Sequence, residues 1–294
     1  NVAIGHSAGG VVSTGANNTL IGGLAGSAIT TGSFNVAMGA YALDALTTAN
    51  SNVAIGESAM STTTTGADNV AVGKNAMLLN TTGANSVAVV VLSLDANTTG
   101  NNNEAVGNSA LTSNTTASNN VAVGHSALAL STTASNNVAL GYQAGNDVTT
   151  STQNVLIGTY TGRNITSGPS NTAIGYYALQ ADTQGRDTVA IGVTSLQQQN
   201  FSSSTYTNNV AVGGSTGYSN TTGAQNTFVG SRAGFSNTTG QRNNFIGNHA
   251  GYYNTTASYN TFVGDDSGKT VTTGANNSYF GALTGDANTT GNYN

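Results

Sequence analysis

The sequence predicts an all-β fold: a parallel β-solenoid, or β-roll, of 17 coils with a 17-residue repeat. Three observations predict it. The element Asn-Val-Ala-Ile-Gly, with variants, returns along the whole chain. Its closing Gly recurs from Gly5 to Gly281 in steps of 17 residues, with one step of 21 between Gly192 and Gly213 and Val90 in one Gly slot. Composition is the third: charged residues are 6%, with 39 Gly, 1 Pro and no Cys, where roughly 25% charged is usual. A period this short cannot hold a helical hairpin, which needs about 33 residues. It suits one solenoid coil with a short strand or two. No apolar stripe of helical period is present, and Gly, Asn and Thr are poor helix formers.

Length alone would suggest about two domains. The repeat replaces that with one continuous segment, 1–294, carrying a four-residue insertion within 197–207. The chain starts and stops in mid-pattern, with no polar cap at Asn1 or Asn294. Solenoids normally hide their last core layer under caps. The expectation is therefore a piece of a longer fibre, or copies stacked end to end.

Coil positions are numbered 1 to 17 from the repeating Asn. Positions 1–5 read as a strand, and part of 8–14 as further strand material. Position 4 is apolar in every coil and reads as the core ladder, since Val and Ile favour extended backbone. Gly at position 5 and Gly or Ala at position 15 read as corners. Equivalent positions should stack about 4.8 Å apart. Position 1 then makes an Asn ladder (Asn35, Asn52, Asn69, Asn120, Asn137, Asn154) whose amides bond along the axis. Position 13 makes a Thr ladder from Thr30 to Thr183 and from Thr221 to Thr289.

Positions 3 and 9 trade size. Where position 3 is large (Leu20, Leu156, Phe228, Phe245, Phe262, Tyr279), position 9 is Gly; where position 9 is Leu or Met, position 3 is Ala. Both side chains fill one space of fixed volume. Strand alternation puts position 3 on the face opposite position 4. With position 4 inward, Phe228, Phe245, Phe262 and Tyr279 form an outward stripe that a second subunit would cover. The alternative puts position 3 inward and position 4 at an interface or bend. In both cases both strand faces are apolar, as when both are covered.

The segment Asn226-Thr-Phe-Val-Gly-Ser-Arg-Ala-Gly-Phe-Ser-Asn-Thr-Thr-Gly-Gln-Arg242 resembles repeats of bacteriophage tail fibres and large bacterial surface adhesins. The Val-Ala-Ile-Gly element is similar to the head repeats of trimeric autotransporter adhesins. That resemblance covers the chain and implies a left-handed β-roll, assembled as a side-by-side trimer, at a cell surface or on a virion. The autotransporter repeat is shorter, and this chain adds a Thr-Thr-Gly corner.

Chemistry is sparse, and no cofactor, metal or catalytic site is expected. His6 and His125 share position 6 but lie seven coils apart, roughly 34 Å at solenoid spacing. His249 stands apart, and Asp265-Asp266 lacks the further acids a cation needs. Gly264 to Thr270 falls one residue short of a phosphate-binding loop. Asn80, Asn97, Asn114, Asn220, Asn237, Asn254 and Asn288 each open an Asn-Thr-Thr triplet, making them candidate glycosylation acceptors. Adjacent Thr rows suggest an ice-binding face, but the two rows should point to opposite sides. Tyr142, Tyr176, Tyr177 and Tyr252 read as surface rings able to stack on sugars. Six Lys and Arg with net charge −5 give no nucleic-acid footprint. No run of about 18 apolar residues exists for membrane insertion.

These features point to a non-enzymatic structural fibre segment of an extracellular adhesin, phage tail fibre or self-assembled filament, with itself as partner. The alternative is a module binding host-surface glycans. It needs an irregular loop, and only 197–207, with Phe201 and Tyr206, offers one. A tailspike glycan-degrading enzyme would need paired carboxylates in a groove, and 11 acids spread over the coils supply none.

Overall fold

The computed structural model describes residues 1–294, all β with no helix. The chain divides into two compact units, 1–150 and 151–294. The first carries nine strands, from β1 (Val2–Ile4) to β9 (Val138–Leu140). The second carries eight, from β10 (Val155–Ile157) to β17 (Ser278–Phe280). Every strand has three residues, at coil positions 2–4. Within each unit, neighbouring strands pair parallel and in register. Val36, Ala37 and Met38 of β3 (Val36–Met38) meet Val53, Ala54 and Ile55 of β4 (Val53–Ile55). In the second unit, β12 (Val189–Ile191) meets β13 (Val210–Val212) with Val189 opposite Val210. The insertion leaves this register intact, so its extra residues are extruded between position 12 and the next coil.

Positions 8–14 form no strand. Two turns follow the strand instead: in the third coil Ala42 N–H donates to Gly39 O at 3.3 Å and Leu46 N–H to Leu43 O at 3.2 Å. The cause is left-handed backbone at positions 7, 9 and 17, here Tyr41 (φ 61°), Leu43 (φ 50°) and Ser51 (φ 59°). Such residues cannot continue an extended segment. Bonding along the axis persists through the turns, as in Gly26 N–H to Ala42 O at 2.9 Å and Thr30 N–H to Thr47 O at 2.9 Å.

Gly at position 5 answers two demands. Gly22 has φ 134°, and a Cβ there would lie 2.5 Å from the Gly39 carbonyl oxygen of the next coil. Position 15 differs from expectation: its residues are not left-handed. The slot needs smallness, because a Cβ on Gly32 would meet the Ala49 oxygen at 2.5 Å.

The core differs from the expected one in its facing. Position 3 points inward and position 4 outward. In the fourth coil Asn52, Ala54, Ala59, Met60 and Thr63 are all fully buried, while Ile55 is exposed. So positions 1, 3, 8, 9 and 12 line the interior. A three-residue strand walls a narrow coil, and its inward slot has room for one large side chain only when the turn opposite supplies none. In eight coils the turn supplies it, as Leu or Met at position 9.

Asn at position 1 ties the coils together. Asn18 Nδ2 donates to Gly32 O at 2.8 Å, and its Oδ1 accepts from the Asn35 backbone N–H at 2.9 Å. The axial link thus runs mainly from amide oxygen to backbone, with longer amide–amide bonds beside it, such as Asn35 Nδ2 to Asn18 Oδ1 at 3.2 Å. Thr at position 13 donates its hydroxyl to the position-13 carbonyl of the next coil, as Thr81 to Thr98 at 2.9 Å and Thr221 to Thr238 at 3.0 Å.

Candidate functional site: an aliphatic outer face

Strand alternation turns positions 2 and 4 to the outside together. In the first unit position 2 is Val in every strand but β2 (Thr19–Ile21) and β7 (Glu104–Val106), and position 4 is Ile, Met, Val or Leu throughout. Met38, Ile55, Val106, Val123 and Leu140 are 37–39% exposed, and the Val36, Val53, Val70, Val121 and Val138 side chains are half-buried. The result is a flat aliphatic face, two residues wide. Glu104 is the one charge in it. In the second unit position 4 stays aliphatic up to Phe280, but position 2 admits Thr172, Thr227, Asn244, Thr261 and Ser278.

The expected intersubunit stripe is corrected by this facing. Phe228, Phe245 and Phe262 are fully buried within their own chain, and Tyr279 is half-buried behind them. Their rings stack at 5.4, 4.9 and 5.1 Å between centroids. The size trade is real and internal: a Cβ on Gly251 would lie 2.6 Å from the Phe245 ring, and one on Gly26 2.7 Å from Leu20.

The Asn-Thr-Thr residues are corrected as well. They occupy position 12, and Asn80, Asn97, Asn114, Asn220, Asn237 and Asn254 are fully buried. Asn97 Nδ2 donates to Asn80 Oδ1 at 2.8 Å and to Gly100 O at 3.0 Å. Asn288 is half-buried, with its Nδ2 on the Tyr279 hydroxyl at 2.6 Å. The amide nitrogen a glycan would need is therefore enclosed in the first six and engaged in the last. A signal for this was present: the same slot holds Ile29, Leu46, Val148 and Ile165 in other coils, and a slot that takes Ile or Leu faces inward.

In the insertion, Phe201 is buried and Tyr206 is 60% exposed. Tyr206 stacks on the Arg186 guanidinium at 4.2 Å. Beneath the loop lies Asp182, a buried carboxylate at position 12. Its oxygens accept from Gln199 Nε2 at 2.7 Å, Gly185 N–H at 3.0 Å and Phe201 N–H at 3.2 Å. Burial pushes its pKa up, against these hydrogen bonds, which lower it. Gln199 passes its other end to Asn209 Nδ2 at 2.8 Å.

Elsewhere His249 and the acidic pair come together among the sequence-derived candidates. His249 Nδ1 meets Asp266 Oδ1 at 3.2 Å, Lys269 Nζ meets Asp266 Oδ2 at 3.0 Å, and Asn248 Nδ2 meets Asp265 Oδ1 at 3.0 Å. This surface cluster joins His249 to the acidic pair, but no three His, Asp or Glu side chains converge as metal ligands. Tyr142 stacks on His125 at 5.4 Å, Tyr176 meets Tyr177 edge-on at 4.2 Å, and Tyr252 stacks on Phe235 at 5.0 Å. The ring faces are thus partly used within the chain. Neither unit opens a pocket, and no helix is long and apolar enough to cross a membrane. Comparison with protein-family models, with curated proteins and with solved structures finds no match to this chain.

Proposed function

We propose that this chain is a non-enzymatic structural segment of an extracellular fibre, such as an adhesin, a phage tail fibre or a self-assembled filament, and that it works by packing side by side with copies of itself. The observation that carries the reading is the aliphatic face of positions 2 and 4 in the first unit. Exposures of 37–39% at five of its nine position-4 side chains, with half-buried Val at position 2, leave on the order of 100 Å² of apolar surface per coil, or about 900 Å² over the unit, against the ~800 Å² per partner of a standard stable interface. A second copy presents the same row of aliphatic side chains at the same coil spacing, with Glu104 as the one charge in the row. Ladders of Asn and Thr hydrogen bonds supply stiffness, and few titratable groups make the face indifferent to salt.

Sedimentation velocity of the 294-residue chain tests this. A concentration-dependent multimer is expected, and Val72→Lys with Val89→Lys should return it to a monomer without loss of fold. A monomer at all concentrations between pH 4.5 and pH 7.5 would sink the reading. A second reading, a module that binds surface glycans, is favoured only by the exposed Tyr206 on the insertion. Glycan-array binding that is lost on deleting the insertion would support it.

A further inference from the structure

Glu104 opens β7 in the middle of the aliphatic face. Position 2 above and below it is Val87 and Val121, paired to it in register, and position 4 beside it is Val89, Val106 and Val123. It is exposed, and no ion pair or side-chain hydrogen bond engages its carboxylate. No titratable group faces it from either flanking strand. Before it, Asn102 donates to Asn119 at 3.2 Å. The acid of the preceding coil, Asp95, stands on the turn at position 10 and accepts from Thr112 Oγ1 at 2.6 Å.

We propose that Glu104 makes lateral assembly acid-dependent and fixes it in register. This rests on the self-packing reading above. Copies related by a rotation about an axis parallel to the solenoid meet coil on coil, because a closed ring brings equivalent levels together. The Glu104 carboxylates of all copies then arrive at one level, inside an aliphatic interface. There they lose water and face one another, and both effects favour the neutral acid. The assembly takes up protons as it forms, so acid tightens it and neutral pH loosens it. A lone charge in an apolar seam is also the device by which packed helices select one register, at a cost in stability. Each copy slipped by one coil would instead bury Glu104 against Val alone, without a partner to share a proton.

The test is sedimentation equilibrium of the full chain and of Glu104→Gln and Glu104→Val at pH 4.5 and pH 7.5. Position 2 is Val in seven of the nine coils of the first unit, so both variants should keep the fold. The wild type should associate at least about tenfold more tightly at pH 4.5 than at pH 7.5. Both variants should associate tightly at both pH values, with the acid effect gone. A wild type indifferent to pH, or a Glu104→Val chain that keeps the full acid effect, would overturn the proposal while leaving self-packing intact. If neither variant associates at any pH, the self-packing reading itself fails, and this one with it.

Discussion

Each unit fills its own coil interiors, and the two draw the bulk mainly from different walls. In the first, position 3 is Ala in eight of nine strands and the turn supplies the bulk, as Leu43, Met60, Met77, Leu94, Leu111 and Leu128, all fully buried. In the second, the strand supplies it in β14 (Thr227–Val229), β15 (Asn244–Ile246) and β16 (Thr261–Val263), through Phe228, Phe245 and Phe262, with Gly facing them. The costs differ. Leu43 and Met60 hold left-handed backbone at φ 50° and 51°, which costs a non-Gly residue roughly 1 kcal/mol. The Gly turns avoid that strain but lose more entropy on folding. The constant is an upper limit on coil volume: no coil holds a large side chain at both position 3 and position 9.

The sharpest way to break this comparison is Phe245→Ala. With Gly251 opposite, nothing fills the space, and the loss should be about 3–5 kcal/mol, or on the order of 10 °C in Tm. Adding Gly251→Leu rebuilds the pattern of the first unit in that coil. The double variant should recover at least half the loss in thermal unfolding, although the ring contacts to Phe228 and Phe262 stay missing. If the double variant is worse than Phe245→Ala alone, the two fillings are not interchangeable and the shared-volume account is wrong.

A smaller effect separates the amide ladders. Asn97, in the first unit, donates to Asn80 and accepts from Asn114 Nδ2 at 2.8 Å. Asn254, in the second, is equally buried, but its amide has no partner and the next coil offers Val271. Asn97→Val should destabilise by about 1–3 kcal/mol, because it strands the buried polar groups on either side. Asn254→Val removes an unsatisfied group and should stabilise by about 1 kcal/mol. Denaturant midpoints at unchanged slope read both. Equal signs for the two would show that position 12 does not work as a ladder.

The repeat, the parallel register, the Asn and Thr ladders and the trade between positions 3 and 9 were legible in the sequence, because each is a chemical regularity at fixed spacing. The facing of the strand was not. Val and Ile at position 4 look like core by hydropathy, and Ala at position 3 does not, yet coil width, set by the left-handed turns, decides which fits inside. No residue signal announces left-handed backbone at Leu43 or Tyr41. The triplet reading of Asn80 and its equivalents failed for a related reason: a three-residue motif ignores the slot it occupies. Glu104 became informative only once position 2 was known to face out. The extent of the strand was overestimated too, since hydrogen bonds along the axis run through the turns as well as the strand.

The ladders end differently, and this gives the smallest expected effect. In the first unit the amides run down to a neutral hydroxyl, with Asn80 Nδ2 on Thr63 Oγ1 at 3.4 Å. In the second they run through Gln199 to the Asp182 carboxylate. Burial raises the Asp182 pKa above its ordinary 3.8, so the folded chain holds that proton more tightly than the unfolded one. Its contribution to stability is complete below about pH 3.8 and is lost as pH rises through the folded value. Asp44, on a first-unit turn, is also raised by burial, against a lowering backbone hydrogen bond, but it lies nearer solvent and should contribute less. Tm should therefore climb modestly from pH 7 toward pH 4, and Asp182→Asn should flatten most of that slope while Asp44→Asn flattens little. If Asp182→Asn leaves the slope unchanged, the three donors around the carboxylate outweigh its burial, and the charged end of the second ladder is as stable as the neutral end of the first.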